Sequence, residues 1–294
     1  MDFLVNWLEI VKNTIEPYTY TSYNQIVSDR ITKYFSANTV IHHHAIIRKC
    51  LDYAFKMDII PNNPADKVQR PKKEQFIGEF YTTDQLLNLI DASKGDELEL
   101  IILLTVHYGL RRSEVLGLKW DTIDFKNKTL TIKHTVVIAK INDKRQLIAK
   151  DRTKNKSSYR TLPLIDTISI KLQEQKAKQE TFKKKFGSSY NKDYLDYICV
   201  NPQGMLIRPD YISQHFKLLL EKNNLKHIRF HDLRHSCASL LLSSGIQMKS
   251  IQEWMGHSNF STTANIYAHL DCNSKQSSED EIASALNINN LQKK

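Results

Sequence analysis

The 294-residue sequence lacks both paired cysteines and long apolar segments, which argues against a secreted, zinc-binding or membrane protein. Its four cysteines are widely spaced and form no CxxC motif: Cys50, Cys199, Cys237 and Cys272. This spacing favours free thiols in a reducing compartment. No signal peptide is recognisable, and the densest apolar run, Leu98 to Val106, contains Glu99 and is too short to span a bilayer. We therefore expect a cytoplasmic protein without a membrane partner.

Positive charge is in excess along the chain. The 42 Lys and Arg residues outnumber the 32 Asp and Glu residues, which gives a formal net charge of +10 and an isoelectric point near 9.2. This is the sign expected for a protein that binds a polyanion such as nucleic acid. Because many soluble proteins are also basic, the charge alone supports that function only weakly.

The last third of the sequence contains residue types that could break a phosphodiester bond. His231 and Arg234 are three residues apart in the segment HDLRHSCASLLLSSG, whose apolar residues recur at helical spacing until Gly245. Positions i and i+3 of a helix share a face, so we expect the imidazole and the guanidinium to point toward one substrate.

Two further segments could complete this site. The amphipathic segment from Gln247 to Trp254 is followed by Gly256, which predicts a C-cap that releases His257 into a loop. Residues 261–263 (Ser-Thr-Thr) offer N-cap hydroxyls for a final helix that carries Tyr267. Three short helices packed together could therefore bring all four side chains to one place.

These side chains fit the attack of a tyrosine on phosphorus. The non-bridging oxygens gain negative charge, and Arg111, in the segment YGLR, joins Arg234 as a predicted bidentate clamp for that charge. Tyr267 is the predicted nucleophile and would form a covalent protein–DNA ester. His231 could accept the tyrosine proton, because the pKa of an unperturbed histidine lies near neutrality, and His257 could donate a hydrogen bond to the phosphate.

The leaving deoxyribose oxygen requires a proton. The β-branched residues between Thr129 and Ile148 predict strands with a hairpin turn at Asn142 and Asp143. A lysine near Lys154, in the basic segment that follows, could act as the general acid. No metal or other cofactor is expected, since two arginines, a lysine and the histidines supply the electrostatic stabilisation.

Four segments resemble the motif boxes of the tyrosine recombinases, the phage integrase family: YGLRRSEVLGLKW, TKNKSSYRTLPL, HDLRHSCASLLLSSG and MGHSNFSTTANIYAHL. Their order and the ten-residue step from His257 to Tyr267 also fit. The resemblance is strongest over residues 75–272. Within the family, the sequence is similar to the integrases of conjugative transposons and temperate phages of low-GC bacteria. Four ordered boxes are far more specific than an isolated HxxR pair.

The resemblance implies a site residue by residue: Arg111, Lys154, His231, Arg234, His257 and Tyr267. It also implies a 3′-phosphotyrosine intermediate at Tyr267, a free 5′-hydroxyl, and no need for ATP or metal. The position within TKNKSSYRTLPL favours Lys154 as the general acid, with Lys156 as the alternative. Arg111 is preferred over Arg112 because it directly follows the Gly-Leu pair.

The fold and partners that the resemblance implies are equally specific. The fold would be α+β and mainly helical, with a small helical, SAM-like core-binding domain and a mixed catalytic domain that has a small antiparallel sheet. The substrate would be double-stranded DNA attachment sites. A homo-tetramer would exchange strands through a Holliday junction, with C-terminal tails docking on neighbouring protomers. An excisionase or a host architectural protein could assist, and the protein would be associated with the bacterial nucleoid.

The domain boundaries follow from changes in composition. We place a helical core DNA-binding domain at residues 1–70, a linker at residues 71–80, and the catalytic domain with its C-terminal tail at residues 81–294. The linker lies in a polar, basic and proline-containing stretch. The chain is long enough for two domains and contains no internal repeat.

The N-terminal helical pattern is shorter than is usual for the family. Helices are predicted at residues 3–14, 21–34 and 40–57, the last capped within residues 36–39, and the second and third helices abut. A natural deletion, a remnant or an engineered form would each explain this. No arm-binding domain is expected at the N-terminus.

Three alternative functions remain open at this stage. The short N-terminal bundle fits a DNA-binding remnant of the same fold that no longer reacts. A type IB topoisomerase uses similar chemistry and would relax supercoils without site preference. A metal-dependent nuclease would use histidines, but consecutive residues such as His42, His43 and His44 point in different directions on a helix, which makes a metal site there improbable.

Local patterns around Arg111 predict how it is held. Residues 97–108 predict a buried helix that Gly109 ends. Ser113 is predicted to cap the next helix, and Glu114 to brace Arg111.

Elsewhere in the predicted catalytic domain, the patterns indicate further elements. Thr82 and Gln85 match a capping box at the start of its first helix. Residues 172–186 predict an exposed basic helix, residues 197–200 a short strand, and residues 210–222 another helix.

Overall fold

The computed structural model describes residues 35–73, 79–141, 144–150 and 159–256, together with Glu9 and Lys12. The chain divides into two compact units, residues 1–77 and residues 78–294. No helix within the described ranges is long and apolar enough to cross a membrane.

The first unit contains a long helix, α1 (Ala37–Lys56). The Ser36 hydroxyl caps its start by accepting a hydrogen bond from the Thr39 amide, 3.3 Å away. The predicted cap is therefore confirmed, although the helix begins at Ala37 instead of Val40. The two helices predicted before it lie outside the described residues.

The histidine run lies on α1. His42 and His43 are exposed, whereas the Nε2 atom of His44 lies 3.1 Å from the carbonyl oxygen of Ala65. This hydrogen bond gives His44 a packing role inside the first unit.

The second unit is a mixed structure of helices and short antiparallel strands. Its helices are α2 (Thr83–Ala92), α3 (Glu99–Tyr108), α4 (Arg112–Leu116), α5 (Asp166–Phe186), α6 (Pro209–Lys222), α7 (Asp232–Ser243) and α8 (Met248–Met255). Its strands are β1 (Ile123–Asp124), β2 (Thr129–Ile132), β3 (Thr135–Ile141), β4 (Lys144–Lys150) and β5 (Arg160–Pro163). The predicted α+β, mainly helical class is confirmed.

The core of the second unit is built around α3, which is apolar on every side. Ile102 and Leu104 are fully buried within it, and a helix without a polar face is stable only inside a protein. The predicted buried helix is confirmed, but it begins at Glu99. It starts later than expected because the Asp96 carboxylate accepts the Leu98 amide at 2.8 Å in a preceding turn.

Gly109 ends α3 in the left-handed conformation, with φ of 60°. A Cβ at this position would overlap the Sδ atom of Met255 and lie 3.4 Å from the Sγ atom of Cys237. Glycine therefore permits both the positive φ and the close crossing of α3, α7 and α8. The predicted helix end is confirmed, and it sets the position of Arg111, two residues further on.

The helix α4 does not begin at the predicted cap. Ser113 lies inside α4, and the N-cap residue is Arg111. The helix starts early because the Glu114 carboxylate reaches back to accept the Arg111 amide at 3.0 Å, which satisfies one of the unpaired amides of the first turn. The prediction that Glu114 braces Arg111 is confirmed by the same contact.

In the described part of the second unit, the strands form two separate antiparallel sheets. One has three strands in the order β1-β2-β5, and its register places Ile132 opposite Arg160. The other is the hairpin of β3 and β4, with Ile141 opposite Lys144. The strands predicted between Thr129 and Ile148 are present, but they are interrupted at Lys133 and His134, so Thr129–Ile132 belongs to the three-stranded sheet and not to the hairpin. The predicted turn residues, Asn142 and Asp143, lie outside the described residues.

The strand predicted at residues 197–200 is wrong. Tyr197 and Val200 form isolated bridges, to Lys119 and Leu206 respectively. The carbonyl oxygen of Ile198 is bonded by a side chain and not by a neighbouring strand, since the Gln179 amide donates to it at 2.7 Å.

The remaining helices agree closely with prediction. The capping box of Thr82 and Gln85 is present at the start of α2. The helix α6 matches the predicted one to within a residue. The basic helix α5 begins at Asp166, earlier than predicted, because Ile168 in its first turn is fully buried in the core.

Candidate active site

Glu114 is the centre of a largely buried set of charged side chains, the Glu114 cluster: Arg111, Glu114, Arg160 and Arg234. The Glu114 side chain is 2% exposed, and those of Arg160 and Arg234 are 7% and 2% exposed. Arg111 is the accessible member, with 33% of its side chain exposed. The cluster therefore presents one guanidinium to solvent and keeps two inside.

Arg111 links Glu114 to the end of α8. Its Nη1 atom lies 2.5 Å from the Glu114 carboxylate, and its Nη2 atom donates to the carbonyl oxygen of Gly256 at 3.0 Å. Gly256 is the C-cap of α8, with φ of 63°, as predicted. Because Gly256 directly precedes His257, the chain enters that segment from a point held by Arg111.

Arg234 lies in the first turn of α7 and joins two helix ends. Its guanidinium donates to the carbonyl oxygens of Gly109 and Met255, at the C-terminal ends of α3 and α8. Its Nη1 atom lies 3.8 Å from Glu114. Carbonyl groups at a helix C-terminus lack intrahelical partners and carry partial negative charge, so a buried cation is stabilised there.

The Glu114 cluster contains one carboxylate and three guanidinium groups, in surroundings from which water is mostly excluded. Charged groups in such surroundings are costly unless an opposite charge lies close to them.

The pKa directions reflect these charges and their burial. Burial alone would raise the pKa of Glu114, but the charges of Arg160 and Arg111 outweigh it and hold that pKa below its usual value. Burial, followed by the charge of Arg111, lowers the pKa of Arg234 to about 9. Arg234 therefore stays protonated at neutral pH, although its charged form is disfavoured.

His231 lies at the N-cap position of α7, one residue before the helix, and not inside it as predicted. His231 as a whole residue is exposed to solvent. Protein atoms nevertheless surround its ring and remove part of the water from the imidazole. This desolvation, together with the charges of His235 and Arg234, lowers the pKa of His231 to about 4. The pKa of His231 is therefore below that of an unperturbed histidine, and the imidazole is neutral at pH 7.

The loop that carries His231 is fixed on both sides. The Asp232 carboxylate, 3% exposed, accepts Nη2 of Arg229 at 2.7 Å and Nε of Arg229 at 3.0 Å. Phe230 packs edge-to-face on Phe216 in the core. His231 is thus held in a defined place at the start of the helix that also carries Arg234.

The structure therefore brings three of the predicted site residues to one region: Arg111, His231 and Arg234. The other predicted site residues lie outside the described residues: Lys154, its alternative Lys156, His257 and Tyr267. The same holds for the predicted N-cap at residues 261–263. Arg112 turns away from the cluster, since its guanidinium bonds to the Ser213 hydroxyl on α6 at 2.5 Å.

Arg160 is a member of the cluster that the sequence prediction missed. Its Nη2 atom lies 3.1 Å from the Glu114 carboxylate. A signal for it existed in the sequence, because Arg160 and Leu162 occupy alternate positions of a strand, and both are buried. A charged residue on the apolar face of a strand requires a charged partner inside the protein.

The three cysteines that the structure describes are not paired with one another. Cys199 and Cys237 are buried free thiols, and burial raises the pKa of each to about 12, while Cys50 is exposed and free. Cys272 lies outside the described residues. In the part of the chain that the structure describes, no three His, Cys, Asp or Glu side chains are grouped as a metal-binding set.

Comparison with known proteins identifies the family. The sequence profile of the phage integrase family matches residues 79–274, most of the chain. The chain belongs to the phage integrase family. The resemblance carried by the four motif boxes is therefore confirmed.

Relatives in the phage integrase family are considerably longer than this chain. The tyrosine recombinase XerC-like protein of Caldanaerobacter subterraneus subsp. tengcongensis is 31% identical over 220 residues, which cover 73% of this chain and 55% of that relative. The ICEBs1 integrase of Bacillus subtilis is 27% identical over 239 residues, which cover 80% of this chain and 62% of that relative. The chain thus matches little more than half the length of these two relatives.

Solved structures show the same fold. The Tn1549 transposon integrase in complex with transposon right end DNA matches with a TM-score of 0.69 at 20% identity, covering 96% of this chain and 92% of that chain. The XerA recombinase matches with a TM-score of 0.54 at 19% identity, covering 95% and 89%. The predicted tyrosine recombinase fold is confirmed for this member of the phage integrase family.

Proposed function

We propose that the chain is a site-specific DNA recombinase that cleaves and rejoins DNA strands and thereby integrates or excises a mobile element or prophage. The Glu114 cluster is the observation that carries this proposal. Its three guanidinium groups surround one carboxylate, and the guanidinium of Arg111 is accessible. A DNA phosphate would bind that guanidinium, and membership of the phage integrase family supports that substrate.

In the proposed cleavage step, the phenol oxygen of Tyr267 attacks the scissile phosphorus and the bond from phosphorus to the 5′ oxygen breaks. The products are a 3′-phosphotyrosyl ester and a free 5′-hydroxyl. Arg111 and Arg234 stabilise the negative charge that grows on the non-bridging oxygens. The guanidinium of Arg234 is already fixed by two backbone carbonyls, so little reorganisation is needed when the phosphate arrives.

Proton transfers accompany this step. Neutral His231 accepts the proton of Tyr267, and a phosphate beside the ring would raise the pKa of His231 and make it a stronger base. Lys154 donates a proton to the leaving 5′ oxygen, and His257 donates a hydrogen bond to the phosphate. Rejoining reverses these transfers when a 5′-hydroxyl from another strand attacks the phosphotyrosine.

The hydrogen bond between Arg111 and Gly256 supports the assignment of His257. It holds the residue before His257 within 3.0 Å of the proposed phosphate clamp. The roles of Lys154, His257 and Tyr267 rest on their positions in the motif boxes.

The proposed partner is double-stranded DNA at specific attachment sites. The Tn1549 transposon integrase, a structural neighbour, was solved in complex with transposon right end DNA. We further propose a homo-tetramer that exchanges strands through a Holliday junction, with exchange of C-terminal tails between protomers. An excisionase or a host architectural protein would set the direction of the reaction.

Each domain has a separate proposed role. Residues 1–70 would form the core DNA-binding domain, residues 71–80 the linker, and residues 81–294 the catalytic domain. The division of the chain near residue 77 into two compact units supports this arrangement.

A nicked suicide substrate tests the proposed function. The full chain is incubated with such an oligonucleotide, and a covalent adduct is expected that mass spectrometry maps to Tyr267. Tyr267→Phe should abolish the adduct and leave DNA affinity within a few fold. Tyr159→Phe is the matched control, since Tyr159 is an exposed tyrosine beside the Glu114 cluster, and it should react normally.

Other outcomes would favour the alternatives. Binding without an adduct would indicate an inactive remnant of the fold. Relaxation of supercoils without site preference would indicate a type IB topoisomerase. Cleavage that EDTA blocks and that leaves free ends would indicate a metal-dependent nuclease.

A modified leaving group tests the lysine assignment. A substrate with sulfur in place of the bridging 5′ oxygen needs no proton at the leaving atom. Lys154→Ala should be defective on normal DNA and recover on this substrate, whereas Lys156→Ala should not need such rescue. The opposite result would exchange the two lysines.

A further inference from the structure

We propose that Arg160 is a positioning residue of the candidate active site: it fixes the Glu114 carboxylate and thereby orients the guanidinium of Arg111 toward the phosphate. This inference rests on the proposed function and assigns a role to a residue outside the predicted catalytic set.

The contacts show how one carboxylate joins the two arginines. The Oε1 atom of Glu114 lies 2.5 Å from Nη1 of Arg111 and 3.5 Å from Nη1 of Arg160. The Oε2 atom accepts the Arg111 amide at 3.0 Å and Nη2 of Arg160 at 3.1 Å. Each carboxylate oxygen therefore faces both arginines. A change in the orientation of Glu114 would move the donors of Arg111.

Burial separates the roles of the two arginines. Arg111 is 33% exposed and can meet a ligand, whereas the side chain of Arg160 is 7% exposed and lies behind a carboxylate that is 2% exposed. Both Nη atoms of Arg160 also face the Glu114 carboxylate, so we assign Arg160 an effect on the substrate that passes through Glu114.

The local structure explains why Arg111 needs such support. The helix α4 has five residues, which is too short to be stable by itself, and Arg111 is its N-cap residue. Arg160 instead belongs to the three-stranded sheet, where it pairs with Ile132. The sheet therefore holds Arg160 in place, and Arg160 in turn holds α4 through its contact with Glu114.

Charge gives Arg160 a second effect on the same site. Its guanidinium contributes one of the three positive charges that face Glu114, and its charge is among the causes that lower the pKa of Arg234. A neutral residue in its place would reduce the positive charge around Glu114 and would therefore weaken the binding of an anion at Arg111. Lysine in its place would keep the charge and lose the planar fork that holds both carboxylate oxygens.

The test is a double-mutant cycle on the rate of adduct formation with nicked DNA in a single turnover. Arg160→Met should lower this rate by about 100-fold, since a misplacement on the order of 1 Å has such an effect, while DNA affinity changes little. In the Arg111→Ala background, the same substitution should cause almost no further loss, because there is no guanidinium left to position. Arg160→Lys should recover part of the rate.

A substrate with a methylphosphonate at the scissile position adds a readout that a general folding defect would not produce. This group lacks one charged non-bridging oxygen, so the arginine clamp matters less. The defect of Arg160→Met should shrink on it, as should that of Arg111→Ala. Arg208→Met is the control, because Arg208 forms an exposed fork with Asp210 and should react like the unaltered protein.

Several results would overturn the inference. These are an unchanged rate for Arg160→Met, a loss of equal size in both Arg111 backgrounds, or a defect that persists fully on the methylphosphonate. If Arg160→Met does not fold, Arg160→Lys is carried through the same cycle and judged by the same criteria.

The failure of the proposed function would be distinguishable. If the unaltered chain forms no adduct, the recombinase proposal fails, and the role of Arg160 is then judged from sulfate binding. Stabilisation of the unaltered chain by sulfate that disappears in Arg160→Met would retain the inference that Arg160 organises an anion site. Equal stabilisation of both proteins would reject it.

Discussion

The Glu114 cluster can be compared with a second polar cluster of the same unit, the His215 cluster: Asp96, Glu97, Tyr211 and His215. In the second cluster, Nε2 of His215 lies 3.0 Å from Asp96, and the Tyr211 hydroxyl donates to Glu97 at 2.6 Å. The rings of Tyr211 and His215 stack with their centroids 5.3 Å apart. Both clusters tie a helix to a distant turn through charged groups.

The two clusters differ in the sign and the burial of their charges. The acids of the His215 cluster exceed its cations, but Glu97 is exposed and water screens its charge. In the Glu114 cluster the cations outnumber the acids, and three of its four side chains are buried. Charged groups that water cannot screen distinguish the Glu114 cluster as the functional one, and the His215 cluster is structural by the same criterion.

The largest effect is expected from Glu114→Gln, which removes the carboxylate on which three arginines converge. Breaking a buried ion pair costs about 3–5 kcal/mol of unfolding free energy. The pKa of Glu114 is lowered in the folded state, so its stabilisation is present above the ordinary glutamate value of about 4.3 and is lost as the pH falls through the lowered value. Urea unfolding at a series of pH values measures both effects.

The variant should lack the part of the acid destabilisation that Glu114 causes in the unaltered chain. Unfolding free energies that depend on pH in the same way in both proteins would contradict this account of the cluster.

The next largest effect concerns the accessible arginine. Arg111→Ala should lower the rate of adduct formation by about 100- to 1000-fold, the loss found when one donor to a developing oxyanion is removed. The adjacent Arg112→Ala is the matched control, because Arg112 is bonded to Ser213 on α6. It should remain within a few fold of the unaltered rate. A larger loss for Arg112→Ala than for Arg111→Ala would reverse the assignment.

A smaller effect is expected when an anion binds the Glu114 cluster. Sulfate at about ten times its dissociation constant should stabilise the unaltered chain by about 1.4 kcal/mol, which corresponds to roughly 3–6 °C in Tm. Sulfate also stabilises proteins in general, so the informative quantity is the difference from Arg111→Ala at the same concentration. Equal shifts in both proteins would show that the Glu114 cluster does not bind the anion.

The smallest effect is expected at the His215 cluster. His215→Gln removes a partly exposed ion pair with Asp96 and should cost about 1 kcal/mol or less of unfolding free energy. The rate of adduct formation should be unchanged, because this cluster is proposed to be structural. A strong loss of cleavage in His215→Gln would show that the His215 cluster also contributes to the reaction.

Features with a local cause were predicted well from sequence. The capping box at Thr82 and Gln85 depends on residues three apart, and the end of α3 depends on the freedom of Gly109 to adopt a positive φ. The brace between Glu114 and Arg111 is also local. The motif boxes added the family and the order of the site residues, which periodicity does not provide.

Features that depend on distant parts of the chain were missed. Arg160 joins the cluster because the β2–β5 pairing brings it to Glu114, 46 positions earlier in the sequence. The lowered pKa of His231 arises from desolvation of its ring by neighbouring atoms and from neighbouring charges, neither of which a motif reveals. The hydroxyl of Ser113 suits an N-cap, but the longer Glu114 side chain accepts the Arg111 amide, so the helix begins earlier, with Arg111 as its N-cap residue.

The hairpin of β3 and β4 has a consequence for how the protein stays dispersed. Among the described residues it is a two-stranded sheet, and unprotected strand edges invite pairing with strands of other molecules. The ribbon is rich in basic residues, with Lys140, Lys144, Arg145 and Lys150 along it, and like charges of this kind discourage such pairing. Replacing these residues by neutral ones to weaken contacts with polyanions should therefore also make the protein aggregate at lower concentration.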